Sequence, residues 1–373
     1  MGTRCHVATR KGLFTFDRGA TGWTISRTNF LGDNCTIVMH DPRNGSLLAA
    51  LNHGHFGVKV HRSRDGGVTW QEVATPKYPE KPADYAPQAA PVEGQPVEWS
   101  LKLVWSLAPG GPDQPGIMWC GTLPGGLFKS EDEGDSWALN RALWDDPRRE
   151  EWFGGGADHP GIHSVCVDPR DSRHVVVGIS CGGVWSTRDG GGTWQLGGRG
   201  MRAEFMPPER QFDPNVQDPH LVAQCRANPD VLWVQHHNGI FKSTDGSASW
   251  TEIPGVRPSA FGFPVAVHPH DADTAWFVPA IKDEKRYPSE GRVVVNRTRD
   301  GGRTFETLTR GLPQQYAYDL VFRHALDVDE TGNRLAFGST TGSLWLSEDA
   351  GDSWQTLSSH LPPIYAVRFE KAG

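Results

Sequence analysis

The chain has 373 residues, of which 37% are hydrophobic, and a mean hydropathy of −0.49; it predicts a soluble globular protein, with no apolar run long enough to span a membrane as a helix. Its net charge of −7, with no Lys/Arg-rich run interleaved with aromatics, argues against nucleic acid as a partner. The 44 Gly, 28 Pro and 15 Trp point instead to many short strands joined by tight turns.

The N-terminus, Met1-Gly2-Thr3-Arg4-Cys5-His6, leads straight into strand-like sequence with no basic region followed by an apolar core, so a cytoplasmic location is expected. The six cysteines (Cys5, Cys35, Cys120, Cys166, Cys181, Cys225) lack short paired spacing and fall in or beside apolar strands, which predicts buried reduced thiols.

Along the chain one pattern of eight residues, Ser/Thr-x-Asp-x-Gly-x-Thr/Ser-Trp, recurs at 63–70, 130–137, 187–194, 243–250, 298–305 and 347–354. Ser247 replaces the Gly in one copy and Phe305 the Trp in another. A degraded seventh copy is read at 15–21, with Trp23 one residue late. Around 187–194 the sequence offers an apolar run at 162–167, a turn at Asp168-Pro169, a second run at 174–178, Val184-Trp185-Ser186, and Trp194-Gln195-Leu196. Four short strands per repeat of roughly 50 residues predict a β-propeller blade.

The same division gives units at 35–73, 100–139, 162–196, 220–253, 263–308 and 319–357. The N-terminus contributes only three strands, at 5–9, 13–16 and 23–25, and one spare strand remains at 364–369. The spare strand is expected to complete the first blade and close the ring, leaving no open edge. The prediction is an all-β, seven-bladed propeller of four-stranded antiparallel blades, a single domain over 1–373.

The boxes at 63–70, 130–137 and 347–354 resemble the Asp-box, or BNR, repeat of the sialidase-like propellers. That superfamily includes sialidases, xyloglucan-cleaving glycosidases, sortilin-type receptors and a photosystem assembly factor, so the resemblance speaks to fold more than to function. It implies that the boxes mark one face, the bottom, and that a ligand site lies at the top near the axis. A typical sialidase is not expected, because the Phe-Arg-Ile-Pro motif is absent and Arg10, Arg226 and Arg286 match no arginine triad.

With that orientation, His40, His174, His268 and His270 fall in bottom turns and read as structural, while His53, His55, His159, His163, His220, His236 and His237 converge on the top. Glu98, Asp158, Asp218 and Asp319 lie in the same class of loop. The connections 74–99, 144–161 and 197–219 are longer than a propeller needs and read as covers over a site near blades three to five.

Three functions fit this rim. In one, His163 or His237 moves a proton while Asp218 or Asp319 orients it, and Arg10, Lys102, Arg286, Tyr316 and Tyr318 bind the substrate. In the second, His53, His55 and His236 hold Zn²⁺ or another first-row divalent cation. In the third, the propeller is a non-catalytic binding or assembly scaffold. The expectation is an enzyme, a hydrolase or lyase, acting on a small polar or anionic, carbohydrate-like substrate in the top central cavity, with the scaffold as the alternative. The sequence leaves the oligomeric state open.

Overall fold

The computed structural model describes residues 3–83, 85, 99–155 and 157–371. These residues form seven four-stranded antiparallel sheets arranged as a ring, with one short helical turn at Arg141–Trp144 and brief 3-10 segments. Among them no helix is long and apolar enough to cross a membrane.

Blade four shows why the sequence folds this way. Its strands Ile162–Val167, Val175–Ile179 and Gly183–Thr187 are short apolar runs bounded by turns, and the middle one is buried on both faces because neighbouring blades stack against it. The outermost strand, Gln195–Leu196, is short and half exposed. The first strands of successive blades touch one another around the axis, and the circle closes through Ile364–Phe369, which contacts blade seven on one side and blade two on the other.

Each repeated turn is a closed hydrogen-bond unit. In blade four the Thr187 hydroxyl donates to Asp189 Oδ1 (2.7 Å) and accepts from Gly191 N (3.0 Å), while Asp189 accepts from the amide and hydroxyl of Thr193 (2.9 and 2.8 Å). Gly191 has φ +99°, where a Cβ is disfavoured; Ser247 holds the corresponding place at +79°. Trp194 Nε1 donates to Asn140 Oδ1 (2.9 Å) and Trp137 Nε1 to Ala74 O (3.0 Å), so in blades three and four the turn's indole stitches its blade to the end of the preceding one.

Blade one is assembled as expected, in the order Ile364–Phe369, Arg4–Thr9, Gly12–Gly19, Gly22–Asn29. Two expectations are corrected. The segment 15–21 is no seventh copy of the turn: Asp17 lies inside the strand Gly12–Gly19 and pairs with Arg4 (2.6 Å), leaving a plain hairpin. Blade seven's first strand is Leu326–Val328 rather than a run from residue 319; the stretch before it makes only an isolated bridge, His324 to Ala366. All six cysteines are free thiols, five of them buried, and burial pushes Cys35 up to about 12. Most of the expected cover at 74–99, with Glu98, lies outside the described residues.

Candidate functional site

The polar centre of the top face is built on Asp218, one residue before the first strand of blade five, Pro219–Gln224. Its carboxylate is buried. Oδ1 accepts from Cys181 N (3.1 Å) and the Ser180 hydroxyl (3.3 Å). Oδ2 faces two imidazoles, with His220 Nε2 and His237 Nδ1 each 3.4 Å away. His220 is the second residue of that strand, and His237 follows the next strand, Leu232–His236. One ligand atom from each of Asp218, His220 and His237 lies within 4.8 Å of the others, the one such group of three among the described residues.

Electrostatics separates the three. Burial opposes the Asp218 charge, but hydrogen bonds from His220 and His237 and the charge of Arg323 hold the carboxyl well below its usual range. Burial dominates at His220 and lowers it, whereas at His237 the Asp218 hydrogen bond and charge outweigh burial and raise it. The carboxylate therefore draws a proton to His237 rather than to the deeper His220. His220 Nδ1 lies 2.6 Å from Gly262 O and donates to it, and its ring stacks on Phe263 (centroids 4.6 Å, 17°).

Above this centre lies a cleft of about 550 Å³. Aromatic walls come from Phe153, Phe205 and Phe261, and polar groups from Glu204, Asn238, Lys282 and Asp283; Asp218 and His237 form part of its floor. Two of the long connections, 144–161 and 197–219, do line it, together with a blade-six loop around 282–284. Gly155 closes over Asp218: a Cβ there would stand 2.8 Å from Ser180 Oγ and 2.9 Å from Asp218 Oδ2 and Cys181 Sγ. Only a residue without a side chain fits that approach.

The structure brings together Asp218 and His237 of the expected catalytic residues, but not His163 or Asp319. His163 is buried beside Trp105 (centroids 5.6 Å), and burial together with Arg323 lowers it well below the usual range. Asp319 accepts from the hydroxyls of Ser339 (2.8 Å) and Thr341, which ties it into blade seven. The expected metal set, His53, His55 and His236, is not brought together. His53 lies near Asp33 (3.5 Å) in blade two, His55 is exposed against Phe56, and neither joins the Asp218 group. The buried His236 has its ring nitrogens 3.1 Å from the backbone amides of Asp218 and Asn238; burial lowers it to about 3, so it is a neutral ring that accepts from one of the two amides.

The expected substrate-binding residues are dispersed. Arg10 and Lys102 are exposed in blades one and three. Arg286 pairs with Asp283 and lies over Phe263 (5.5 Å) near the cleft. Tyr316 and Tyr318 are exposed rim residues, with Tyr318 6.1 Å from Tyr287. Sequence reasoning placed His220 on the top face without giving it a role, and it did not single out Arg323. The signal for both is position: each stands at the start of a blade's innermost strand or just ahead of it.

No family model matches the chain. Among curated proteins it is similar to the oligoxyloglucan-reducing end-specific xyloglucanase of Emericella nidulans, 25% identical over 275 residues, which covers 68% of this chain and 32% of that protein. The chain thus spans about a third of the length of that relative. Among solved structures it is similar to the GH74 enzyme of Niastella koreensis (TM-score 0.60, 17% identity, 95% of this chain and 54% of that one). It is also similar to YCF48 from Cyanidioschyzon merolae (TM-score 0.55, 13% identity, 91% and 90%). At these identities the structural likeness concerns the propeller fold alone.

Proposed function

We propose that the chain is an enzyme acting on a small polar or anionic, carbohydrate-like substrate in the cleft above Asp218, with Asp218, His220 and His237 as a three-ligand centre for a divalent first-row cation. The observation that carries this reading is the approach of two imidazole nitrogens to one carboxylate oxygen at 3.4 Å each. Ligand atoms about 2.0–2.1 Å from a tetrahedral Zn²⁺ stand about 3.3 Å apart. A direct N–H···O bond prefers about 2.9 Å. Moreover, His220 gives its Nδ1 proton to Gly262 O, which leaves Nε2, facing the carboxylate, as the atom able to take a cation in place of a proton. A cation between them would be shared by both groups, and a backbone carbonyl behind the ring is the usual way a ligating imidazole is oriented.

Asp218 and His237 line the cleft, so a cation held by the three residues would have an open side toward a bound substrate, as in a catalytic rather than a structural centre. A cation held there would activate a water or polarise a substrate oxygen. The chain's own groups orient the ligands (Gly262, His236, Ser180, Cys181) and supply the polar and aromatic walls that sugar rings require. Support for a carbohydrate comes from the xyloglucanase relatives, whose whole activity is not transferred to a chain a third of that length.

Elemental analysis of the purified chain tests the reading. About one equivalent of a first-row metal is expected, lost in His220→Ala and His237→Ala and retained in His53→Ala, with hydrolysis or elimination on an oligosaccharide panel abolished by chelation. A metal-free protein that remains active would overturn it. The second reading, His237 acting as acid and base oriented by Asp218 without a cation, is favoured by the reach of His237 into the cleft; it requires activity that survives chelation and falls in His237→Gln.

A further inference from the structure

A second charged group lies at the axis without a partner. Arg323, in the stretch leading into blade seven, places its guanidinium over Trp105 (4.9 Å) and Phe263 (5.2 Å). Its Nε and Nη2 are enclosed and have no hydrogen-bond partner among the described residues. Burial lowers the group only to about 10, so it remains a cation at neutral pH. A half-buried cation with two enclosed, unsatisfied N–H donors is costly, and stacking on aromatic faces offsets only part of that cost.

Nε and Nη2 share one edge of the guanidinium, and elsewhere in this chain that edge meets both oxygens of a carboxylate. Arg43 makes the pair with Asp41 at 2.8 and 2.6 Å, and Arg148 with Asp146 at 2.9 and 2.7 Å. In these pairs the fork is filled by a carboxylate, although the same edge can also grip two oxygens of a phosphate. Beside it, His163 Nε2 is also buried without a partner, and Trp105 contacts both side chains. Arg323 as a whole is half-buried, and its charge acts on Asp218 and Cys181, both of which line the cleft. Phe263 links the two places, with His220 stacked on it and Arg323 above it.

We infer that Arg323, with His163 beside it, forms an axial carboxylate-binding site one aromatic ring away from the Asp218 centre, and that the substrate is an acidic molecule such as a uronate sugar. The substrate class rests on the proposed function; the anion site itself does not.

Calorimetric titration and thermal melting of the full chain with D-glucuronate, acetate, D-glucose and inorganic phosphate test this. Glucuronate and acetate should raise the melting temperature, glucose should not, and phosphate should act at least tenfold more weakly than glucuronate. Arg323→Met should lose carboxylate binding at least tenfold and melt no lower than the parent, since it removes an unpaired buried charge; Arg323→Lys should fail to restore binding because it lacks the fork. The site is overturned by a parent chain that neither carboxylate stabilises, by phosphate matching glucuronate, or by an Arg323→Lys chain that binds like the parent. An Arg323→Met chain that does not fold overturns it too, because the guanidinium is then needed by the protein itself. Acetate binding that persists after chelation and in His237→Gln, with no metal found, would sink the cation centre while leaving the anion site standing.

Discussion

Acidification from pH 7.5 to 5.5 is expected to cost the folded ring about 3 kcal/mol through His163 and His324 alone. Both are buried, and His324 Nε2 donates to His163 O across the axis (2.7 Å). Burial, with Arg368 adding to it, holds His324 down at about 3, and burial with Arg323 holds His163 well below its usual range. In the unfolded chain each returns to about 6.5. Because the folded values are depressed, the unfolded state binds more protons below that point, and stability falls as pH falls. One unit below 6.5 the penalty is RT ln 11, about 1.4 kcal/mol per histidine, against less than about 0.1 at pH 7.5. His237, raised by Asp218, works in the opposite direction: its contribution is present below 6.5 and is lost as pH rises through its folded value. Urea unfolding followed by tryptophan fluorescence at both pH values measures the difference. His324→Gln keeps a donor for His163 O but cannot titrate, so the pH-dependent loss should shrink by about half of the 3 kcal/mol. If His324→Gln retains the full dependence of the parent, the argument from burial is wrong.

Two further outcomes follow from packing. Removing 364–373 deletes a strand whose Ile364, Ala366, Val367 and Phe369 are buried, and at about 1.5–3 kcal/mol for each large side chain the loss rivals a domain's whole stability. The truncated chain should therefore show no cooperative melting at the parent's transition, and a melt like the parent's would refute closure by that strand. Gly155→Ala should displace Asp218 at a cost of about 1–3 kcal/mol. It is expected to weaken metal retention in elemental analysis and to lower the melting temperature; unchanged values of both would show that the loop yields without disturbing the carboxylate.

The ring was legible in the sequence because one turn is repeated with its full set of hydrogen-bonding residues. Thr187, Asp189, Gly191 and Thr193 each have a role that few other residues fill, so spacing alone located the blades. The copy read at 15–21 failed because Asp17 sits in a strand, where Arg4 claims it. The site was legible only in part. Loop class placed Asp218 and His237 on the top face, but it carries no information on which blades face each other, so His53, His55 and His236 were grouped although blade two is distant in order from blade five. Arg323 was hidden for a different reason: it lies among the apolar residues Val321, Phe322 and Leu326, and only the structure shows that the stretch before the strand Leu326–Val328 is irregular and brings its side chain onto Trp105 and Phe263.

Closure of blade one has a consequence for the order of assembly. Val7 lies opposite Val367 and Cys5 opposite Phe369, partners separated by almost the whole chain. During synthesis the strand Arg4–Thr9 has no inner neighbour until Ile364–Phe369 is made, so its edge stays open while six other blades form. Those blades shorten the effective loop to be closed, which turns a costly long-range pairing into a short search between two nearby edges. The seam is thus the last pairing expected to form, and a nascent chain lacking it carries an unpaired, apolar strand edge that is open to mispairing with another copy.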